Sequence, residues 1–501
     1  GAGSNRMNVY TVGRAAQGLA NHLKTLPQAA KAGVAVAFDS RNRSAEFALR
    51  SALILAANGI KAYLFPGLRA VPQLSFAVGQ LGCAAGIVIT ASHNPKEYNG
   101  FKVYGENGAQ INPETAKRIT EEIESVPNFS AIRLTDEEAA RKAGLLVTLP
   151  AEVDEAYFDY TMGLALDKSV LSAAKDLSIV YTPLFGAGGE PVSRVLTQAG
   201  VKKLFVVPKQ SAPNGDFPGL PAPNPEVPEA FFEAEKLARQ TGAELILATD
   251  PDADRLGVCV RKGDAFVTLT GNQIGCLVLH YRLMKLKEQG RLPKDGFVVK
   301  SIVSTNFANA IAESFGVRMD EVLTGFRFIG EKIDEAQKLG GGSFLFGFEE
   351  SYGFLAGTKV RDKDAICAAL MAAETAAYYS LRGMTLLDGL EELYQKYGCY
   401  RESVKSYTLY GAEGMAKIAA AMESLRKNPP KRVFDRQVSA LRDYSGGFRQ
   451  EGGKRAPLGL PESNVLYYEL GGGDWLCVRP SGTEPKLKIY LSAKGGSRQE
   501  S

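Results

Sequence analysis

The sequence predicts an α/β protein of three similar α/β domains with mixed sheets, followed by a C-terminal α+β domain. Three observations lead there. A pattern of apolar strand, polar turn and amphipathic helix recurs three times, each repeat closes with a strand running into a polar loop, and the pattern changes near Cys399. The 501 residues also exceed what one hydrophobic core usually serves.

In the first repeat, residues 34–38 read as a strand, 44–58 as a helix, 62–65 as a strand, and 86–90 as a strand entering Ala91-Ser92-His93-Asn94-Pro95. In the second, strands at 178–181, 204–207 and 244–248 alternate with helices at 191–199 and 229–241 and lead into Asp250-Pro251-Asp252-Ala253-Asp254-Arg255. In the third, strands at 297–300, 321–323 and 344–346 and a helix at 306–315 lead into Gly347-Phe348-Glu349-Glu350-Ser351. Such sheets are covered on both faces and place ligands outside the carboxyl ends of their strands, so the three loops are expected to converge on one cleft. Past residue 399 a strand, a helix at 413–427 and a hairpin-like pair at 465–470 and 475–478 make the α+β domain. The expected domains are 1–150, 151–268, 269–398 and 399–501. Proline-rich 218–228 falls between a strand and a helix of the second repeat and is expected to be a surface loop.

Composition excludes several classes. Apolar residues at 45% and charged residues at 23% are ordinary for a globular chain. A formal charge of +4 without blocks of like charge gives no support to nucleic-acid or membrane-surface binding, so a small molecule is the expected partner. No run approaches twenty apolar residues, and the alanine-rich stretch 365–379 is too short and carries Glu374, so no membrane span is expected. The six cysteines lack CxxC or zinc-ligand spacing and read as reduced, mostly buried thiols of a cytosolic protein. The N-terminus lacks a charged segment followed by an apolar one, so secretion is not expected, and Gly1 reads as an arbitrary start.

Asp250, Asp252 and Asp254 alternate just past an apolar strand, which in extended geometry points all three carboxylates to one side. Hard oxygen ligands suit Mg²⁺ or Ca²⁺, and three protein ligands leave room for water or a phosphate oxygen, which favours Mg²⁺. A solvated acidic turn is the plainer alternative, against which Arg255, suited to phosphate, weighs. Ser92, with His93 beside it and Lys102 ten positions on, offers a nucleophile or phosphate carrier, although Ser-His-Asn-Pro alone also fits a self-capped turn. Arg479-Pro480-Ser481-Gly482-Thr483-Glu484-Pro485-Lys486 has the composition of a phosphate cradle or of an ordinary hairpin end. Glu349, Glu350 and Ser351 suit sugar hydroxyls or a solvated loop. Arg361-Asp362-Lys363-Asp364 supplies a lysine whose pKa burial would lower toward neutrality, or else a surface charge cluster. Thr324-Gly325-Phe326-Arg327 is another polar turn, and Gly186-Ala187-Gly188-Gly189 lacks G-x-G-x-x-G and reads as a strand-to-helix connection.

In this order, Thr90 to Pro95, Asp250 to Arg255, Gly347 to Ser351 and Arg479 to Lys486 resemble the four signature loops of the α-D-phosphohexomutases, with bacterial phosphoglucomutases sharing the Gly-Phe-Glu-Glu-Ser sugar loop. The resemblance spans nearly the whole chain and implies four domains around a central cleft. It implies that Ser92 carries the phosphate and joins Asp250, Asp252 and Asp254 at Mg²⁺, and that Arg255 contacts the phosphoserine. It further implies that Thr324, Glu349 and Ser351 bind the sugar and that Arg479, Ser481, Gly482 and Thr483 grip the non-reacting phosphate. His93, Lys102 and Lys363 match positions of proton transfer or phosphate contact. The activity implied is interconversion of glucose 1-phosphate and glucose 6-phosphate through a glucose 1,6-bisphosphate intermediate, which would also serve as activator, in a cytoplasmic monomer or weak homodimer. The alternatives are a phosphomannomutase or phosphopentomutase of the same family, an inactive sugar-phosphate binding fragment, or a phosphatase with an aspartate nucleophile. The family's N-terminal Gly-Thr-x-Gly-x-Arg-Gly segment is not found in this sequence, and the chain is therefore expected to be a fragment.

Overall fold

In the computed structural model, residues 6–26, 28–409, 411–481 and 486–496 are described. The architecture is three α/β domains with mixed sheets and a C-terminal domain built on an antiparallel sheet. The chain divides into two compact units, 1–299 with 325–387, and 300–324 with 388–501.

The first sheet comprises β1 (Val34–Phe38), β2 (Ala62–Leu64), β3 (Ala85–Ile89), β4 (Phe101–Gly105) and β5 (Leu146–Thr148), in the order β4-β3-β1-β2-β5. The central strands read as unbroken apolar runs because helices cover both faces; Val34, Val36, Ile87 and Ile89 are fully buried and pack with Phe47 and Leu55 of the helix Ser44–Ala57. The second sheet repeats the plan with β6 (Ser178–Thr182), β7 (Lys203–Val206), β8 (Leu245–Thr249), β9 (Leu256–Lys262) and β10 (Ala265–Leu269), ordered β10-β9-β8-β6-β7. Its core joins Val180, Ile246 and Ala248 to Phe231 and Ala234. The third repeat supplies β11 (Gly296–Ser301), β12 (Arg318–Val322), β13 (Ser343–Glu349) and β14 (Gly353–Leu355), and the helix Ala365–Ser380 follows. That helix is buried on nearly every face, as its alanine-rich sequence requires.

Each repeat adds a strand absent from the periodicity. β4 returns antiparallel to β3, β9 to β8 and β14 to β13. Each signature loop is thus clamped at its base by an antiparallel ladder. The expected helix at 229–241 starts as a 3₁₀ turn, Pro228–Phe231, before becoming the α-helix Phe232–Thr241.

In the second unit, β15 (Cys399–Thr408), β16 (Arg432–Val433), β17 (Arg436–Asp443), β18 (Phe448–Glu451), β19 (Lys454–Pro457), β20 (Leu466–Leu470), β21 (Trp475–Pro480) and β22 (Lys486–Gly495) form one sheet. Its order is β15-β22-β21-β20-β17-β18-β19, with β16 on β17. All six cysteines are buried and none forms a disulfide. Among the described residues no helix is long and apolar enough to cross a membrane.

Candidate active site

The loop between β3 and β4 carries Ser92 in a left-handed backbone conformation, φ 53°. A non-glycine residue adopts that conformation only when its surroundings hold it there. Ser92 N donates to Thr90 Oγ1 at 2.9 Å, and Ser92 Oγ donates to Asp250 Oδ2 at 2.6 Å, with His93 Nδ1 3.3 Å away. The hydroxyl is buried, as the residue is 8% exposed.

Asp250, Asp252 and Asp254 follow β8 and are at most 1% exposed. Their ligand oxygens all lie within 4.8 Å of one another. At that spacing each ionised pair costs about 3 kcal/mol at an effective dielectric constant of roughly 20. Lysines offset part of the cost: Lys102 Nζ, brought back by β4, sits 2.9 Å from Asp252 Oδ2, and Lys363 Nζ sits 3.1 Å from Asp254 Oδ2. Asp250 gains no such partner, accepting instead from the backbone amides of Asp254 and Arg255 at 3.1 and 3.0 Å. Burial and the charges of Asp252 and Asp254 therefore push its pKa well above the usual carboxylate range. Asp252 is held low: burial is the largest influence, but Lys102, the hydrogen bond shared with Asp250 and Lys363 together outweigh it. Asp252 Oδ1 and Asp254 Oδ1 are buried and have no hydrogen-bond partner, which is the condition a cation would relieve. The triad fits a hard divalent ion and is no solvated turn.

The loop's backbone is fixed from three sides. Ala187 N donates to Pro251 O at 2.8 Å, Val71 N to Asp252 O at 2.9 Å and Ala365 N to Ala253 O at 3.2 Å. The strand-to-helix connection 186–189 falls where it was expected, and Gly186 is required there: a Cβ would come within 2.3 Å of Pro251 Cα.

Arg255 turns toward Glu226 and the carbonyl of Ser351, the latter at 3.2 Å. Proline-rich 218–228 is thus more than a surface loop, since its Glu226 holds an arginine of the site. Arg255 also bridges Gly353, and Leu256 N donates to Tyr352 O at 3.1 Å, knitting the second loop to the third. Glu349 is 7% exposed and accepts from Gly325 N at 2.7 Å; burial and neighbouring Glu350 raise its pKa to about 7. The solvated-loop alternative is excluded for this carboxylate.

One expectation is corrected. Burial would depress Lys363, but Asp254 and Asp362, the latter at 3.0 Å, outweigh it and drive its pKa upward. The lysine is a fixed cation. Lys102 is raised too, by Asp252 and Asp254 against burial, whereas His93 is pushed well below its ordinary value by burial and by Arg255. Asp362 passed unremarked in the sequence as a partner; it also accepts from Tyr104 Oη at 2.8 Å and Gln110 Nε2 at 3.0 Å.

The structure thus brings together Ser92, His93, Lys102, Asp250, Asp252, Asp254, Arg255, Glu349, Ser351 and Lys363. Thr324 is half-buried in the turn after β12, in the second unit. There also lie Arg479, on β21 opposite Lys488, and Ser481, whose amide donates to Lys486 O at 2.7 Å. Gly482 and Thr483 lie outside the described residues.

Repeated α/β domains that set a buried serine hydroxyl against a carboxylate triad flanked by fixed cations define an enzyme of intramolecular phosphoryl transfer, an isomerase. Family profiles of phosphoglucomutase/phosphomannomutase alpha/beta/alpha domains I, II and III match residues 1–129, 155–263 and 270–397, and the profile of the C-terminal domain matches 416–500. The chain belongs to the phosphoglucomutase/phosphomannomutase family. The phosphoglucomutases of Staphylococcus aureus strains USA300 and MRSA252 are 36% identical over 502 residues, covering 99% of this chain and 87% of theirs. The fold is shared with parafusin, a phosphoglucomutase from Paramecium (TM-score 0.73, 18% identity, 97% of this chain and 87% of that one). It is shared as well with a phosphoglucomutase/phosphomannomutase family protein from Burkholderia thailandensis (TM-score 0.71, 17% identity, 100% and 92%).

Proposed function

We propose that this enzyme interconverts glucose 1-phosphate and glucose 6-phosphate through a phosphorylated Ser92 and a bound glucose 1,6-bisphosphate. The observation that carries the reading is the 2.6 Å hydrogen bond from a buried Ser92 hydroxyl to Asp250, inside a triad with orphaned carboxylate oxygens. The chain's 36% identity to Staphylococcus aureus phosphoglucomutases over 99% of its length supports it.

Mg²⁺ is the ion proposed for Asp250, Asp252, Asp254 and the phosphoserine; bound there it would supply positive charge to the transferring phosphoryl group. Sugar O6 attacks the phosphorus of phosphoserine as the Ser92 Oγ–P bond breaks, the O6 proton passing to a base and a proton going to the departing Ser92 Oγ. After the bisphosphate turns, Ser92 Oγ gives up that proton and attacks the phosphorus on the C1 oxygen, that P–O bond breaks, and the C1 oxygen takes up a proton as glucose 6-phosphate departs. His93, the group kept neutral, is the proton acceptor proposed. Lys102 and Lys363, kept charged, steady the phosphoryl oxygens. Arg255 is assigned to the phosphoserine, Thr324, Glu349 and Ser351 to the sugar, and Arg479, Ser481, Gly482 and Thr483 to the non-reacting phosphate. A cytoplasmic location agrees with six buried cysteines outside any disulfide.

Intact-mass spectrometry with peptide mapping tests this. One phosphoryl group on Ser92 is expected after incubation with glucose 1,6-bisphosphate, and Ser92→Ala should lower turnover by more than about 10³-fold. Full turnover by the alanine variant refutes the assignment. Assays of glucose, mannose and ribose 1-phosphates side by side should give glucose the highest kcat/KM; a higher value for another sugar reassigns the substrate.

A further inference from the structure

Arg41 belongs to none of the signature loops, yet it is 3% exposed and spends its donors on the backbone of the Ser92 loop. Nη2 donates to Ser92 O at 2.6 Å and to Asn94 O, and Nη1 donates to Pro95 O and Tyr98 O, both at 2.9 Å. Nε faces Asp39 Oδ2 at 3.3 Å. A guanidinium has five N–H bonds in a planar fork; here both terminal nitrogens are spent on carbonyls, while Nε makes its ion pair with Asp39 without a hydrogen bond. A lysine ammonium has three donors about one point and cannot span four carbonyls.

Asp39, which balances the buried cation, accepts from Thr90 Oγ1 at 2.6 Å and Ser44 Oγ at 2.8 Å. Since Thr90 Oγ1 also accepts from Ser92 N, both the amide and the carbonyl of Ser92 are tied to the Asp39–Arg41 pair. These ties bracket the residue whose φ is 53°. The second α/β domain holds Arg41 from the other side. The ring of Phe217 lies 5.0 Å from the guanidinium carbon. Its segment is pressed on the turn after Asp39, where a Cβ on Gly215 would come within 2.4 Å of Asn42 N, and Asn42 Nδ2 donates to Asp216 Oδ1 at 3.0 Å. The domain that carries the aspartate triad therefore also steadies the arginine that shapes the serine loop.

We propose that Arg41 is a positioning residue for phosphoryl transfer: it sets the conformation in which Ser92 takes up and releases the phosphoryl group, and Phe217 keeps it in place. The inference rests on the phosphoserine reading above. Its terminal nitrogens are spent on four backbone carbonyls of the serine loop, so its loss should fall on kcat and leave sugar binding nearly untouched.

Arg41→Ala, Arg41→Lys and Phe217→Ala are compared with wild type for kcat, KM for glucose 1-phosphate, rate of Ser92 phosphorylation by glucose 1,6-bisphosphate, and thermal unfolding. Arg41→Ala should lose about 10²-fold in kcat and in phosphorylation rate, with KM within about threefold. Added guanidinium ion should restore about tenfold of that loss, Arg41→Lys should fare little better than alanine, and Phe217→Ala should lie between alanine and wild type. If wild type carries no phosphoryl group on Ser92, the phosphoserine reading fails. If wild type is labelled but folded Arg41→Ala keeps kcat within about threefold, or guanidinium restores nothing, Arg41 has no positioning role. Should the alanine variant not fold, wild-type kcat in Arg41→Lys overturns the inference and a folded Arg41→Lys with reduced kcat and unchanged KM sustains it.

Discussion

Asp364 caps the helix Ala365–Ser380 with one oxygen and leaves the other stranded. Oδ1 accepts from Cys367 N at 2.8 Å and Tyr157 Oη at 2.9 Å, while Oδ2 is buried with no hydrogen-bond partner. Burial raises the pKa to about 6. The unfolded group titrates near 4, so between roughly pH 4 and 6 the native state binds a proton that the unfolded state does not. The stabilisation this confers is complete below pH 4 and lost as pH rises through 6. Asp364→Asn keeps the capping acceptor and stays neutral, so it should be more stable than wild type at pH 8, by at most about 3 kcal/mol, and match it only below about pH 4, with Tm following the same order. Calorimetry at the two pH values checks this. Its neighbour Lys363 teaches the opposite lesson. Removing that cation as Lys363→Met strands Asp254 and Asp362 and should cost about 3–5 kcal/mol in denaturant unfolding of the metal-free protein. That Ser92, Asp250, Asp252, Asp254 and Glu349 lie in polar loops at strand ends was legible, because each of the three loops is a local feature of the sequence. The pKa direction of Lys363 was not, since it depends on Asp254, a residue far off in sequence, and neither was the partnership of Glu226 with Arg255.

At the scale of elements, the alternation of strand and helix in each repeat was legible, and so was the polar loop at each strand's end. The returning strands were not. β4 and β14 are short and contain Lys102 or Gly353, so period-two patterning is faint, and only pairing with β3 and β13 makes them strands. Register then explains what spacing alone left open: Lys102 pairs opposite Val88 on β3, which returns it to the serine loop. The connection before the helix Gly189–Gln198 packs closely against the triad loop at Gly186. Gly186→Val should displace Pro251 and raise the Mg²⁺ concentration needed for half-maximal activity by about tenfold or more, with the far-ultraviolet circular dichroism unchanged. An unaltered Mg²⁺ titration would show that the contact is slack.

For the whole molecule, repetition was the readable feature: three copies of one plan followed by a different fourth. The site's charge balance was not readable, because the carboxylates and cations that meet there come from separate repeats. Chelating divalent metal should abolish turnover and lower Tm by about 5 °C at pH 8, and added Mg²⁺ should restore both. The Tm deficit should shrink near pH 5.5. In the metal-free protein burial and its neighbours hold Asp250 above its usual range, so the folded state takes up a proton there that the unfolded state does not, and this compensation fades as pH rises. The ladder from Arg255 and Leu256 to Tyr352 and Gly353 has a last implication. A backbone splice of that kind makes the aspartate turn and the Glu349 turn a single fixed gauge, so neither can swing to follow a reacting molecule. A cross-link between these two turns should leave the catalytic cycle running.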